Sequence, residues 1–199
     1  MSEALPEKHE VDRGRIERAV REILFAIGEN PRREGLVETP GRVAEAYAHL
    51  FSGLQKDPTR QLEVSFVEET RDAVLMRDIP LVSFCEHHLL PMIGRAHVGY
   101  SPNERVVGFS EIVRLTEGYA RRPQLQERLT AQIADALYEG LGSRGSFVVV
   151  EATQLCMVAR GAQGPGTVAV TSAARGVYEE DPALRAEVLT LVERGESRR

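Results

Sequence analysis

Apolar residues recur every three or four positions in several stretches of the chain, a spacing that predicts amphipathic helices. Thr39 followed by Pro40 is typical of a helix start, because threonine caps free main-chain N–H groups and proline fits the first turn. Ser110 is predicted to cap a later helix in the same way. The predicted helices span residues 11–29, 39–51, 110–119, 124–141 and 181–193.

Other stretches alternate apolar and polar residues or form short apolar runs, and both patterns predict β-strands. The predicted strands fall into two groups, one before and one after the helices at 110–119 and 124–141. Strands grouped in this way favour an α+β fold with an antiparallel sheet over a parallel sheet that alternates with helices. The predicted strands span residues 62–66, 73–76, 81–84, 96–100, 105–109, 147–152, 155–159 and 167–173.

Length and composition predict one main domain with a small appendage, since the 199 residues are 42% hydrophobic. No apolar run approaches the ~20 residues that a membrane-spanning helix needs. The first ten residues lack the basic and then apolar pattern of a signal peptide, so we expect a cytoplasmic protein. We divide the chain into a disordered tail (1–10), a helical region (11–58) and a sheet-containing domain (59–199).

The formal net charge of −5 provides no overall field that would attract nucleic acid. We therefore expect neither nucleic acid nor a membrane as a partner. The chain has two cysteines, Cys85 and Cys156, and a reducing cytoplasm disfavours a disulfide between them.

The two cysteines and a nearby histidine form a candidate metal site. Cys85 and His88 are separated by two residues, a spacing that lets one bend of the backbone present both to a metal ion. With Cys156 as a third ligand, the set leaves a fourth position open for water, as catalytic zinc sites do. Two alternatives remain open at this point: the thiols are buried structural residues, or His87 replaces His88 as the ligand.

Four separated motifs follow one another in an order that resembles GTP cyclohydrolase I. The resemblance extends from about Thr39 to Leu191. The motifs are Cys85-Glu86-His87-His88, Gly108-Phe109-Ser110-x-Ile112-x-Arg114, the run Arg-Pro-Gln-Leu-Gln-Glu-Arg-Leu-Thr at 122–130, and Cys156-Met157-Val158-Ala159-Arg160-Gly161.

The resemblance implies conversion of GTP and water to 7,8-dihydroneopterin triphosphate and formate, the first step of tetrahydrofolate and pterin biosynthesis. It also implies the tunnelling fold, in which an antiparallel sheet with two inserted helices joins the sheets of other subunits into a barrel. Residues 59–199 would then be the catalytic domain. The implied assembly is a homodecamer with sites at the subunit interfaces.

The resemblance further implies a role for each matching residue. Cys85, His88 and Cys156 would bind Zn²⁺, and His87 would transfer protons beside the purine and ribose. Gln126 and Glu127 would hold the nucleotide, the Glu127 carboxylate accepting hydrogen bonds from guanine N1–H and the 2-amino group. The triphosphate would be bound by Arg114, Arg160, the nearby Ser110, and Arg42 of a neighbouring subunit.

Three positions depart from the family pattern. Gln154 occupies the place of a catalytic histidine, and a glutamine can hydrogen-bond but cannot shuttle protons near pH 7. Glu111 replaces a lysine and would repel triphosphate unless it points away or pairs with an arginine. Glu45 occupies a place where some relatives carry a basic residue.

These departures leave several interpretations open. The chain is a natural active variant with slower chemistry, an engineered variant with low turnover, or a relative that stops after ring opening or only binds nucleotide. Among these we favour the first. Other tunnelling-fold enzymes fit less well: pterin synthases typically use three histidines for zinc, and nitrile reductases lack this zinc triplet.

Overall fold

The computed structural model describes residues 11–162 and 166–193. The predicted disorder of residues 1–10 lies outside this range. The chain forms two compact units that divide between Lys56 and Asp57. In the described part of the chain, no helix combines the length and the apolar composition needed to cross a membrane.

The first unit contains two helices that pack against each other, α1 (Arg13–Ala26) and α2 (Thr39–Leu50), and both agree with the predicted helices. The Asp12 side chain caps α1 by accepting a hydrogen bond from the main chain of Arg15 at 2.9 Å. Pro40 occupies the first turn of α2, as the sequence predicts. A short 3₁₀ helix, Ser52–Leu54, follows.

The second unit is built on a five-stranded sheet in the order β5-β2-β3-β6-β7. Every neighbouring pair in it is antiparallel except β2 and β5, and β1 pairs with β4 in a separate two-stranded sheet. The predicted α+β class with an antiparallel sheet is therefore confirmed. The strands are β1 (Ser65–Val67), β2 (Val74–Cys85), β3 (Pro91–Ser101), β4 (Arg105–Val107), β5 (Pro123–Gln124), β6 (Gly145–Gln154) and β7 (Ala169–Gly176).

Two helices, α3 (Phe109–Ala120) and α4 (Gln126–Asp135), contribute with the sheet to the main core. Alternation along β6 divides its side chains between two apolar clusters, because successive residues of a strand point to opposite faces. Val148 and Val150 join the main core, whereas Phe147 packs with residues of α6 (Val177–Glu180) and α7 (Pro182–Glu193). A π-helical turn, Ala136–Gly140, extends α4.

Five local predictions were wrong. Thr39 is the first residue of α2 and does not cap it, since the N-cap is Glu38, which forms no side-chain capping hydrogen bond. Residues 155–159 form a helical turn, α5 (Leu155–Val158), since a short apolar run fits a strand and a helical turn equally well. Residues 73–76 and 81–84 belong to one strand, with a bulge between Met76 and Ile79. The 62–66 stretch begins instead in a 3₁₀ helix, Pro58–Glu63, whose first turn is capped by Asp57. Gly108, not Ser110, is the N-cap of α3.

Gly94 allows β3 and β6 to approach closely, and we expect Gly94→Ala to destabilise the sheet. A Cβ atom at this position would lie 1.8 Å from the Glu151 carbonyl oxygen and 2.6 Å from the Ala152 Cα. We expect the free energy of unfolding to fall by about 2 kcal/mol or more, as measured by urea denaturation. Gly41→Ala is the control, because a Cβ there meets nothing nearer than Glu17 at 4.0 Å. Equal stability of the two variants would contradict this packing.

Candidate active site

Sheet topology brings the two cysteines to one edge. Strands β2 and β6 both pair antiparallel with β3, so both run in the same direction and end where β3 begins. Cys85 is the last residue of β2, and Cys156 lies in the helical turn directly after β6. Two residues 71 positions apart in the sequence are thus neighbours because of the strand order.

A tight turn between β2 and β3 presents His88 beside Cys85. The main-chain N–H of Cys85 donates to the Leu90 carbonyl, and that of Leu89 donates to the Cys85 carbonyl, each at 2.9 Å. Leu89 adopts a φ of +52°, an uncommon conformation for a residue with a side chain. Leu89 adopts this conformation in the turn that brings the chain back toward Cys85.

An ion pair connects this turn to α4. Arg128 donates to both carboxylate oxygens of Glu86, at 2.6 and 3.2 Å. The hydrogen bond from Arg128 lowers the pKa of the Glu86 carboxyl and raises that of the guanidinium. Glu86 therefore helps to hold the turn against α4. The partner of Arg128 is Glu86 and not Glu127, its neighbour in the sequence.

Cys85, His88 and Cys156 lie close enough together to hold one metal ion. One donor atom from each residue lies within 4.8 Å of the other two, and both thiols are buried. Cys85 Sγ and His88 Nδ1 are 3.7 Å apart, close to the ~3.5 Å expected for sulfur and nitrogen ligands of one tetrahedral zinc ion. His87 Nδ1 is 3.8 Å from the same sulfur, but His87 is not part of the three-residue group.

The electrostatics of the thiols link metal binding to proton release. Burial, and then the neighbouring Cys85 thiol, raise the pKa of Cys156 above its ordinary value. A metal ion bound by these groups must displace their protons, because the thiolate is the ligand.

The three candidate ligands lie in the wall of a cleft of about 340 Å³. Five other residues assigned from the sequence share that wall: His87, Gln126, Glu127, Gln154 and Arg160. Strand β5 explains why α4 begins here, since Gln124 is the parallel partner of Cys85 and α4 starts two residues later. Glu127 is exposed in the first turn of α4, and the Arg160 guanidinium hydrogen-bonds to His88 Nε2.

The side chains of Gln126 and Gln154 form hydrogen bonds within the protein. The Gln126 amide nitrogen donates to the carbonyl oxygens of Val150 and Ala169, at 3.0 and 2.9 Å. Its amide oxygen accepts from Gln154 Nε2 at 2.6 Å. The side-chain contact with nucleotide expected for Gln126 remains a prediction, and its amide is turned toward the sheet.

The residues assigned to the triphosphate do not all line this cleft. Ser110 and Arg114 lie in α3, where both donate to the Glu111 carboxylate, at 3.3 and 2.5 Å. Glu111 is buried, and its second carboxylate oxygen has no hydrogen-bond partner among the described residues. Arg42 lies in α2 of the first unit and pairs with Glu38.

The sequence analysis missed several residues of the cleft wall, among them Met92, Gln124 and Thr171. Thr171 lies within a predicted strand, but the strand pattern alone does not identify the neighbour of its hydroxyl group. Gln124 follows Pro123 at a predicted helix start, where a glutamine reads as an ordinary first-turn residue. The short strand β5 gives no periodic signal in the sequence.

Comparison with known proteins gives one consistent family. A family profile described as GTP cyclohydrolase I matches residues 16–193. Proteins named GTP cyclohydrolase 1 align over nearly their whole lengths. The relative from Corynebacterium aurimucosum is 53% identical over 96% of this chain and 99% of its own. The relative from Geobacillus kaustophilus is 54% identical over 92% of this chain and 98% of its own. The relative from Mycobacterium avium is 56% identical over 91% of this chain and 90% of its own.

Among solved structures, one of an archaeosine synthase QueF-Like in the apo form is similar to part of the chain. It covers 52% of this chain and 93% of its own, with 17% identity and a TM-score of 0.44. The family of the chain follows from the sequence relatives.

Proposed function

Because the chain belongs to the GTP cyclohydrolase I family, we propose that its cleft binds GTP for opening of the imidazole ring, and that Cys85, His88 and Cys156 would hold the zinc ion of the site. The activity of the chain is the conversion of GTP and water to 7,8-dihydroneopterin triphosphate and formate, in pterin and folate biosynthesis. The observation that carries the proposed site is the presence of the three donor groups, His87 and Glu127 in one cleft wall.

The donor set fits zinc by its chemistry. Two thiols and one imidazole suit a borderline-soft ion, and three protein ligands leave a position for a reactant. When bound, zinc supplies a Lewis acid that activates water at neutral pH. Oxygen-preferring ions such as Mg²⁺ and Ca²⁺ are poor matches for two sulfur ligands.

Glu127 is proposed to recognise guanine. Its carboxylate accepts hydrogen bonds from N1–H and from the 2-amino group, whereas adenine offers an unprotonated N1 and no 2-amino group. The side chain lies in the first turn of α4, where the free main-chain N–H groups favour a negative charge.

His87 is proposed to transfer protons. Its side chain is well exposed at the cleft wall and takes no part in the metal group, so it is available to a substrate. Purine C8 accepts a nucleophile readily only once N7 is protonated, and later opening and rearrangement of the ribose need further proton transfers. Gln154 cannot supply them, since its amide does not titrate and is bonded to Gln126.

Arg160 is proposed to bind the triphosphate, together with Arg114, Ser110 and a neighbouring subunit's copy of Arg42. Arginine suits this role because its guanidinium matches phosphate oxygens in pairs. The ion pair between Glu111 and Arg114 opposes phosphate binding by Arg114, because the carboxylate already occupies its guanidinium. We therefore expect weaker binding of triphosphate than an unpaired Arg114 would give.

Neutralising Glu111 is expected to strengthen triphosphate binding. In Glu111→Gln, Arg114 loses its carboxylate partner, and we expect the KM for GTP to fall by about three- to tenfold. The matched control is Glu117→Gln on the same helix, which removes the exposed Glu117–Arg121 pair. Steady-state kinetics measure both variants. An unchanged or increased KM in Glu111→Gln alone would show that Arg114 does not bind phosphate.

The assembly proposed for the chain is the homodecamer of the tunnelling fold, with sites at the subunit interfaces and a cytoplasmic location. Exposed apolar side chains within a single chain support association. Ile23 and Ile27 of the first unit, and Val82 and Ile93 on strands of the sheet, are all exposed. Sedimentation velocity measures the subunit number.

The proposed function is tested by incubating the zinc-loaded protein with GTP and following two products. We expect formate together with a pterin that fluoresces after oxidation. Formate without pterin would mean arrest after the hydrolytic steps. Bound GTP without either product would reject catalysis and leave a nucleotide-binding protein.

A further inference from the structure

We propose that Thr171, to which the sequence motifs assign no role, is a positioning residue that sets Glu127 for guanine recognition. It would act through a closed ring of hydrogen bonds with Thr130 and Gln126. The inference rests on the proposed function, because it takes Glu127 as the residue that selects the base.

The hydrogen bonds of the ring have only one consistent direction. Thr130 Oγ1 donates its single proton to the Gln126 main-chain carbonyl at 2.7 Å. The Thr130 and Thr171 hydroxyl oxygens are 2.6 Å apart, so Thr171 must be the donor of that pair. Thr171 Oγ1 in turn accepts from the Gln126 side-chain amide nitrogen at 3.2 Å, the longest of three contacts that share the two protons of this nitrogen. The ring therefore begins at the side chain of Gln126 and returns to its main chain.

Three further hydrogen bonds hold the Gln126 side chain in this ring. Its amide nitrogen bridges Val150 of β6 and Ala169 of β7, so the amide cannot rotate by 180° without facing two carbonyls with its own oxygen. Gln154 donates to that oxygen on the other side. Gln126 and Thr130 are nearly completely buried, where each lost hydrogen bond is costly because water cannot replace it.

The ring holds the peptide group that directly precedes Glu127. The carbonyl that accepts from Thr130 belongs to the peptide bond between Gln126 and Glu127. The next residue after this fixed peptide is the exposed carboxylate of the cleft wall. Thr171 is itself part of that wall. The hydroxyl of Thr171 thus controls the placement of Glu127 without touching the base.

The test compares GTP with inosine triphosphate, which differs from GTP only in lacking the 2-amino group. We expect Thr171→Val, which keeps the shape but removes the hydroxyl, to lower the kcat/KM preference for GTP by about tenfold. Most of the change should appear in the KM for GTP, with kcat and zinc content unchanged. Thr171→Ser keeps the hydroxyl and is expected to retain the preference.

The closed ring also predicts non-additivity. Thr130→Val opens the same ring, so it should lower the preference similarly, and the double variant should lose little more than either single one. Should Thr171→Val fail to fold, Thr130→Val carries the test. The control is Thr116→Val in α3, which removes another buried hydroxyl bonded to its own helix, at the Ile112 carbonyl.

Three results would overturn the inference: an unchanged GTP preference in Thr171→Val, the same loss in Thr116→Val, or the same loss in Thr171→Ser. Failure of the proposed function gives a different pattern, since the wild-type protein would release no formate from GTP. Equilibrium dialysis of GTP and inosine triphosphate would then measure the preference as a ratio of Kd values, with the same expected tenfold loss in Thr171→Val.

Discussion

Cys156→Ala is expected to reduce bound zinc from about one ion per chain to a small fraction and to lower the kcat for formate release by on the order of a thousandfold or more. The thiol is one of the three donor groups that the described residues bring together, and the chain has no third cysteine to replace it. Cys85 and His88 alone would leave the ion with two protein ligands, too few for tight binding under dilute conditions.

Metal analysis of the purified variant and formate release from GTP measure these two effects together. Val158→Ala is the matched control, because it shortens a side chain in the same helical turn without removing a ligand. Circular dichroism of both variants reports whether the fold is kept. A Cys156→Ala protein that retains both zinc and turnover would show that the ligand set is wrong.

His87→Ala is expected to lower kcat by about 10²–10⁴-fold while the KM for GTP and the zinc content change little. The proposed reaction needs protons at N7 and later at the ribose, and Gln154 cannot provide them. His87 is the residue proposed to transfer these protons. The loss should therefore appear in the chemical steps and not in binding.

The matched control for this prediction is His49→Ala, which removes an exposed imidazole from α2 in the first unit. We expect it to leave kcat unchanged. Loss of zinc in His87→Ala would instead point to His87 as a ligand, the alternative that the spacing leaves open. A kcat within threefold of the wild type would reject His87 as the proton-transfer residue.

The metal group could be predicted from sequence because it depends on side-chain chemistry more than on backbone detail. The stretch around Cys156 was assigned to a strand and is a helical turn, yet Cys156 still reaches the site. The reason is the sheet order: whatever follows β6 begins beside the end of β2. The choice between His87 and His88 needed the geometry of the turn at Leu89, which the sequence does not specify.

The polar part of the site was less predictable, because a hydrogen-bonding group has several possible partners. The ion pair of Glu111 with Arg114 was one of two arrangements expected for an acid at that position. For Gln126, the motif predicts a contact with nucleotide that stays a prediction, and the sequence did not indicate that its amide donates to carbonyls of β6 and β7. Such a contact between residues far apart in sequence leaves no local pattern. Thr171 was missed for the same reason.

Zinc titration of the metal-stripped protein, with the rate of formate release from GTP followed at each addition, tests whether the chain is a zinc-dependent GTP cyclohydrolase. We expect no release without metal, a rate that rises in proportion to added zinc, and a plateau at one ion per chain. Formate release by the metal-free protein, or zinc bound at one per chain without any release, would contradict this expectation.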